Sequence, residues 1–192
     1  MKNKICIIGL GYVGLPLAIE FSKYYDVVGY DKNNNRVKEL TECFDNNNEI
    51  RISKRNLNKV LFSNQEKDLL DCNIFIITLP TPVTKNNIPD LKDVFQGTKI
   101  VSKYISKNDI VIYESTFYPG LIKEILIPII EKISKKKINK EFYCGYSPER
   151  INPGDKKRGL SNIKKIVSGS NNYSLKIISK IYKKIIKAGV IE

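Results

Sequence analysis

The feature that most constrains this chain is the run Gly9-Leu10-Gly11-Tyr12-Val13-Gly14. It closes a short apolar stretch, Ile5 to Leu10, and opens a segment in which Val13, Leu17, Ala18 and Phe21 recur at helical spacing. Glycines so spaced between a strand and a helix suit a backbone that must turn tightly, approach an anion and pack helix on strand. Gly9 permits the turn, Gly11 the approach of a pyrophosphate, and Gly14 the close packing. Tyr12 and Val13 lie where the helix N-terminus meets the anion. A helix dipole contributes only about 0.3–1 kcal/mol, whereas micromolar binding needs about 8 kcal/mol, so other contacts must supply most of the affinity.

Asp31 is positioned to be one of them. It ends a second apolar run, Val27, Val28 and Tyr30, about 20 residues after the glycines, where a carboxylate accepts hydrogen bonds from the adenosine ribose and repels a 2′-phosphate. NAD is therefore expected over NADP, and the nearby cations Lys32 and Arg36 soften that preference without reversing it. The alternative for Asp31 is a helix N-cap, and for the glycines a structural turn.

Further β-like runs at Val60 to Phe62, Ile74 to Leu79, Ile110 to Tyr113, Phe142 to Tyr146 and Ile163 to Val167 alternate with helical patterns. Alternation of this kind predicts one α/β domain, a doubly wound parallel sheet of Rossmann type. Continuous apolar strands such as Ile74-Phe75-Ile76-Ile77 fit a sheet buried on both faces. A last helical pattern, Tyr173 to Ile186, places Leu175, Ile178, Ile181, Tyr182 and Ile185 on one face.

In a parallel sheet the loops after successive strands emerge at one edge. Thr81, in Pro80-Thr81-Pro82, and Thr116, in Glu114 to Gly120, could then face the nicotinamide end of a dinucleotide. A third loop, Ser147 to Asp155, offers Glu149 as a candidate base or water-positioning carboxylate beside Arg150, which suits phosphate or carboxylate. A surface ion pair is the competing reading for Glu149 and Arg150.

Composition narrows the chemistry. Histidine is absent, which removes the usual general base and every Ser-His or Cys-His nucleophile pair from this sequence. It also argues against a 3-hydroxyacyl-CoA dehydrogenase, whose chemistry needs a His-Glu pair. Cys6, Cys43, Cys72 and Cys144 stand singly, without the paired spacing of a zinc site or a redox motif, so no metal is expected. The formal charge of +13 is concentrated between Lys132 and Lys187, in runs such as Lys135-Lys136-Lys137 that read as a solvated face; nucleic-acid binding is not expected. No apolar run approaches the roughly 20 residues of a membrane span and no secretory signal is read, so a cytoplasmic protein is expected.

Gly9 to Leu17 (GLGYVGLPL), Thr78 to Pro82 (TLPTP) followed by Pro89-Asp90-Leu91, Glu114 to Gly120 (ESTFYPG), Ser147 to Asp155 (SPERINPGD) and Asn162 to Gly169 (NIKKIVSG) occur in that order. Together they resemble the N-terminal domain of the UDP-glucose/GDP-mannose dehydrogenase family. The resemblance implies oxidation of a sugar C6 alcohol to a carboxylate with two NAD per sugar, through an aldehyde and a thioester on a cysteine. It implies that Gly9, Gly11, Tyr12, Val13, Gly14, Asp31 and Arg36 hold the adenosine and pyrophosphate, with Thr81 and Thr116 nearer the nicotinamide. Thr116 would position the water or oxyanion, Glu149 would be the base in thioester hydrolysis, and Arg150 and Asn152 would lie toward a UDP-sugar substrate. The SPERINPG form is similar to members acting on UDP-N-acetylhexosamines; UDP-glucose dehydrogenases usually carry a second glutamate at the place of Pro153. Arg158 departs from the histidine common in that branch.

The family's nucleophilic cysteine, in a Gly-Gly-His-Cys setting, has no counterpart here. Residues 1–192 are accordingly expected to be the NAD-binding Rossmann domain without the central helix and substrate domain, and inactive alone. The alternatives are a non-catalytic NAD-binding module and a fragment of a UDP-glucose or GDP-mannose 6-dehydrogenase, and oligomer formation is open for the full-length form.

Overall fold

The computed structural model describes residues 3–47, 50, 52, 59–150 and 160–192. Six parallel strands form the sheet: β1 (Lys4–Ile8), β2 (Asp26–Tyr30), β3 (Val60–Ser63), β4 (Ile74–Ile77), β5 (Asp109–Tyr113) and β6 (Phe142–Tyr146). Their order across the sheet is β3-β2-β1-β4-β5-β6, so the chain runs outward in one direction to β3 and then in the other from β4. The reversal falls between β1 and β4, and a crevice opens there beyond the strand ends.

Strand alternation sorts the core into two layers. Ile5, Ile7, Ile74, Ile76, Ile110 and Ile112 face one way, against α1 (Gly14–Ser22) and α5 (Asn172–Ile185). Cys6, Ile8, Phe75, Ile77, Val111 and Tyr113 face the other, against α3 (Lys92–Tyr104) and α4 (Ile127–Ser134). The short helix α2 (Asn34–Thr41) follows β2 and buries Leu40. Helices on both faces explain why these strands are apolar throughout. A widened helical turn, Leu121–Leu126, leads into α4 from Gly120, whose φ of 94° a side chain would resist.

One expected strand is placed differently. Ile163 to Val167 reads as a further parallel strand, but only β7 (Lys165–Ile166) forms within it, and it pairs with β9 (Val190–Ile191) in a separate ribbon. The sheet's seventh strand is instead β8 (Ser168–Gly169), antiparallel to β6. Continuing a parallel sheet takes a crossover of a dozen or more residues, usually helical. Between β6 and this segment the sequence holds Pro148, Pro153, Gly154 and Gly159, a poor helix former. The last helix has the expected face, with Ile178, Ile181, Tyr182 and Ile185 buried, and begins at an Asn171–Ser174 capping box.

Candidate functional site

The crevice, of about 230 Å³, is lined by Gly9 to Val13, Asp31, Thr78 to Thr81, Glu114 to Thr116 and Glu149. The loops after β1, β2, β4, β5 and β6 thus converge on it. A larger hollow of about 560 Å³ lies against β6 and β8 but holds none of the expected site residues.

The three glycines occupy three different environments. Gly9 has φ of 93°, in the left-handed region, and its amide donates to the Tyr30 carbonyl at 2.8 Å. A Cβ on Gly14 would sit 1.8 Å from the Gly9 carbonyl oxygen and 2.5 Å from Thr78 Oγ1, so this contact tolerates no side chain. A Cβ on Gly11 would meet no atom within 4 Å, so this residue alone of the three turns a bare backbone toward open space. The loop is held from outside: Thr78 Oγ1 donates to the Gly9 carbonyl at 2.8 Å, and the Leu10 amide donates to Asp31 Oδ2 at 2.9 Å.

Asp31 does not cap α2. That role belongs to Asn33, whose side chain accepts from the amides of Asn35 and Arg36. Asp31 Oδ1 accepts from the Asn33 amide at 2.9 Å, leaving acceptor capacity on both oxygens toward the crevice that it lines. Arg36 is 8% exposed and lies beneath the loop, outside the crevice lining. Its Nε donates to the Leu10 carbonyl at 2.9 Å and its Nη1 to Asp45 Oδ1 at 2.8 Å and to Glu39, while Nη2 is buried without a partner among the described residues. Arg36 and Asp31 therefore grip Leu10 from two sides, one at its carbonyl and one at its amide.

At the other end, Thr81 and Thr116 are brought together: Thr81 Oγ1 donates to the Thr116 carbonyl at 3.1 Å. Ser115 Oγ donates to the Leu79 carbonyl at 2.7 Å, and the Tyr146 hydroxyl to the Ser115 carbonyl at 3.1 Å, which ties the β4, β5 and β6 loops into one wall. Glu149 stands in that wall, and its Oε1 accepts from the Arg150 backbone amide at 2.7 Å. Glu149 Oε2 lies 3.8 Å from Lys165 Nζ, whereas Arg150 is exposed and donates through Nη1 to the Lys164 carbonyl at 3.2 Å. Asn152, Pro153 and Arg158 lie outside the described residues.

Behind this wall is a buried charge cluster that sequence patterns do not reveal. Lys165 Nζ donates to Glu114 Oε2 at 2.6 Å, and the Tyr182 hydroxyl donates to Glu114 Oε1. Relative exposures of 3% for Lys165, 1% for Glu114 and 0% for Tyr182 put all three out of water. Burial raises the Glu114 carboxyl above its ordinary range, with Lys165 opposing, and burial next to Glu114 drives the Tyr182 phenol well up. The signal is faint: Glu114 follows the apolar run Ile110 to Tyr113, and Lys165 stands between Lys164 and Ile166 in the NIKKIVSG segment.

No cysteine lines the crevice, and Cys144 is a β6 residue, 2% exposed, whose thiol burial pushes far up. In native buffer a chromogenic disulfide reagent is expected to titrate Cys43 promptly and Cys6, Cys72 and Cys144 only after urea is added, since Cys43 alone of the four is not buried. A second fast thiol would refute this placement. Among the described residues, no group of three or more His, Cys, Asp or Glu could hold a metal ion, and no helix is long and apolar enough to cross a membrane.

A doubly wound sheet with a glycine-walled crevice at its switch point defines a dinucleotide-binding domain. The chain belongs to the UDP-glucose/GDP-mannose dehydrogenase family, whose NAD binding domain matches residues 3–186. A UDP-N-acetyl-D-glucosamine 6-dehydrogenase of Pseudomonas aeruginosa is 44% identical over 191 residues, covering 98% of this chain and 45% of that protein. A second UDP-N-acetyl-D-glucosamine 6-dehydrogenase, from Salmonella typhi, is 46% identical over 187 residues, 97% of this chain and 44% of that protein. The structure of UDP-D-ManNAc dehydrogenase from Pyrococcus horikoshii matches with a TM-score of 0.90 at 29% identity, covering 98% of this chain and 46% of that one. The chain thus spans less than half the length of these relatives.

Proposed function

We propose that this chain supplies the NAD-binding half of a UDP-N-acetylhexosamine 6-dehydrogenase. The observation that carries the proposal is the open space at Gly11 between two glycines held rigidly by their surroundings. The residues present fit the cofactor: an uncovered glycine backbone at Gly11 for the pyrophosphate, a carboxylate with spare acceptor capacity for the ribose, and a wall of loops for the nicotinamide end. Held by these residues, NAD+ would supply the hydride acceptor for oxidation of the sugar carbon.

The roles of the chain's own residues follow. Gly9, Gly11, Tyr12, Val13 and Gly14 receive the pyrophosphate, Asp31 accepts from the ribose hydroxyls, and Arg36 keeps Leu10 and hence the loop in shape. Thr81 and Thr116 border the nicotinamide, Thr116 orienting the water or oxyanion. Glu149 takes a proton from water, with Lys165 Nζ 3.8 Å away. Arg150 and Asn152 are assigned to UDP-sugar binding on the family motif alone, and the nucleophilic thiolate comes from outside these residues. The identities to the two glucosamine-specific relatives favour acetylated sugars over UDP-glucose.

Calorimetry of the 192-residue chain with NAD+ tests this reading. Binding is expected, and Asp31→Ala is expected to weaken it about 10- to 100-fold, the equivalent of hydrogen bonds to a charged group worth roughly 1.5–3 kcal/mol. With UDP-N-acetylhexosamine added, reduced nicotinamide is not expected to accumulate, because the chain spans less than half the length of the dehydrogenases it resembles. No heat with NAD+ would refute the cofactor site, and sustained reduction would refute the division of labour.

A further inference from the structure

Discrimination between NAD+ and its 2′-phosphorylated form depends on more than Asp31. A 2′-phosphate is accommodated in folds of this kind by a basic side chain near the end of the second strand. This sequence has two such cations within five residues of Asp31, namely Lys32 and Arg36, yet both are engaged by carboxylates of the same chain. Arg36 is buried against Asp45 and Glu39 and cannot turn outward without breaking both contacts. Lys32 is different, because its side chain is 59% exposed and one contact among the described residues holds it: Nζ lies 2.6 Å from Oδ1 of Asp93, 61 residues away in the first turn of α3. The pair bounds a small hollow shared with Gly9, Tyr30, Asp31 and Gln96, adjoining the crevice at Gly9 and Asp31.

We infer that Asp93 is a specificity-determining residue: by holding Lys32 it withholds the exposed cation that, among the described residues, lies beside Asp31 and could reach a 2′-phosphate, so rejection of NADP is set by Asp31 and Asp93 together. Asp31 acts directly, as a like charge beside the phosphate. Asp93 acts through Lys32 and is a positioning residue. An exposed ion pair is a weak lock, so the expected contribution is modest, roughly three- to tenfold in relative affinity, and it shrinks with added salt.

The inference rests on the dinucleotide reading above, and a double-mutant cycle separates the two. Dissociation constants for NAD+ and NADP+ are measured at low ionic strength for the unaltered chain, Asp93→Asn, Lys32→Met and the double variant. Asp93→Asn is expected to improve NADP+ relative to NAD+ by roughly three- to tenfold, and the same change made in the Lys32→Met background is expected to do nothing. An unchanged ratio in Asp93→Asn overturns the inference while leaving NAD+ binding intact. An equal improvement with and without Lys32 also overturns it, because Asp93 would then act through its own charge. Failure of the unaltered chain to bind either nucleotide overturns the dinucleotide reading and this inference with it. Coincident urea melts of the four proteins exclude loss of fold as the cause of any difference.

Discussion

Replacing Lys165 with methionine is expected to lower the unfolding free energy at neutral pH by about 3–5 kcal/mol, the usual cost of removing one partner of a buried ion pair. Methionine matches the length of the lysine stem, so the change is chiefly electrostatic. Among the described residues, Glu114, with no side-chain exposure, would keep only the Tyr182 hydroxyl as a side-chain donor and would face Glu149 without Lys165 between them. Against a typical total of about 5–15 kcal/mol, such a loss approaches unfolding.

The pH dependence distinguishes this cause from loss of packing. Burial already raises the Glu114 carboxyl above its ordinary 4.5, and Lys165 is the group that opposes the rise. A carboxyl whose folded-state value is raised contributes stability that is fully present below its unfolded value and is lost as pH climbs through the folded value. Without Lys165 the folded value moves higher, so the penalty should be small near pH 4.5 and grow upward from there. Urea titrations at about pH 5 and about pH 7.5 test it: equal losses at both would refute an electrostatic origin. The double change Glu114→Gln with Lys165→Met is expected to recover much of the loss, because a neutral pair leaves no buried charge uncompensated.

The same cluster marks the limit of what the sequence makes legible. The doubly wound parallel sheet, the glycine loop and the shared edge at which Thr81 meets Thr116 follow from local periodicity and from the rule that parallel strands end at one edge. By contrast, Glu114 finds Lys165 across 51 residues and Tyr182 across 68, and no pattern of spacing encodes such a meeting. Tyr182 reads as one more apolar position on the face of a helix, which it is, but its hydroxyl crosses to the end of β5. Glu149 and Arg150 illustrate the converse error, since adjacency in sequence suggests an ion pair that Lys165 replaces. Arg36, expected to hold the cofactor, has an observed role one step back, at the Leu10 carbonyl. Asp45, which pairs with Arg36, reads from sequence only as part of a polar loop.

Alanine at Gly11 and alanine at Gly14 are expected to fail for opposite reasons, and the contrast is the sharpest test of the crevice. At Gly14 the new Cβ would overlap the Gly9 carbonyl oxygen, which is backbone, so α1 and the loop must separate. Overpacking of this kind costs about 1–3 kcal/mol and occasionally more, and each kcal/mol lowers the melting temperature by roughly 2–4 °C in a chain of this size. NAD+ binding should weaken as well, because Gly9 and Thr78 shape the same loop. At Gly11 the Cβ meets nothing and the backbone is not left-handed, so folding should be unharmed or slightly favoured, by about 0.4–1 kcal/mol through a less flexible unfolded chain. Yet the methyl would project into the space reserved for the pyrophosphate, and a loss of at least about 3 kcal/mol of binding, roughly a hundredfold, is expected. Stability and affinity therefore part company at Gly11 and fall together at Gly14. If Gly11→Ala melts at or above the parent temperature and still binds NAD+ with parental affinity, the pyrophosphate does not lie on this loop, and the open space at Gly11 needs another occupant.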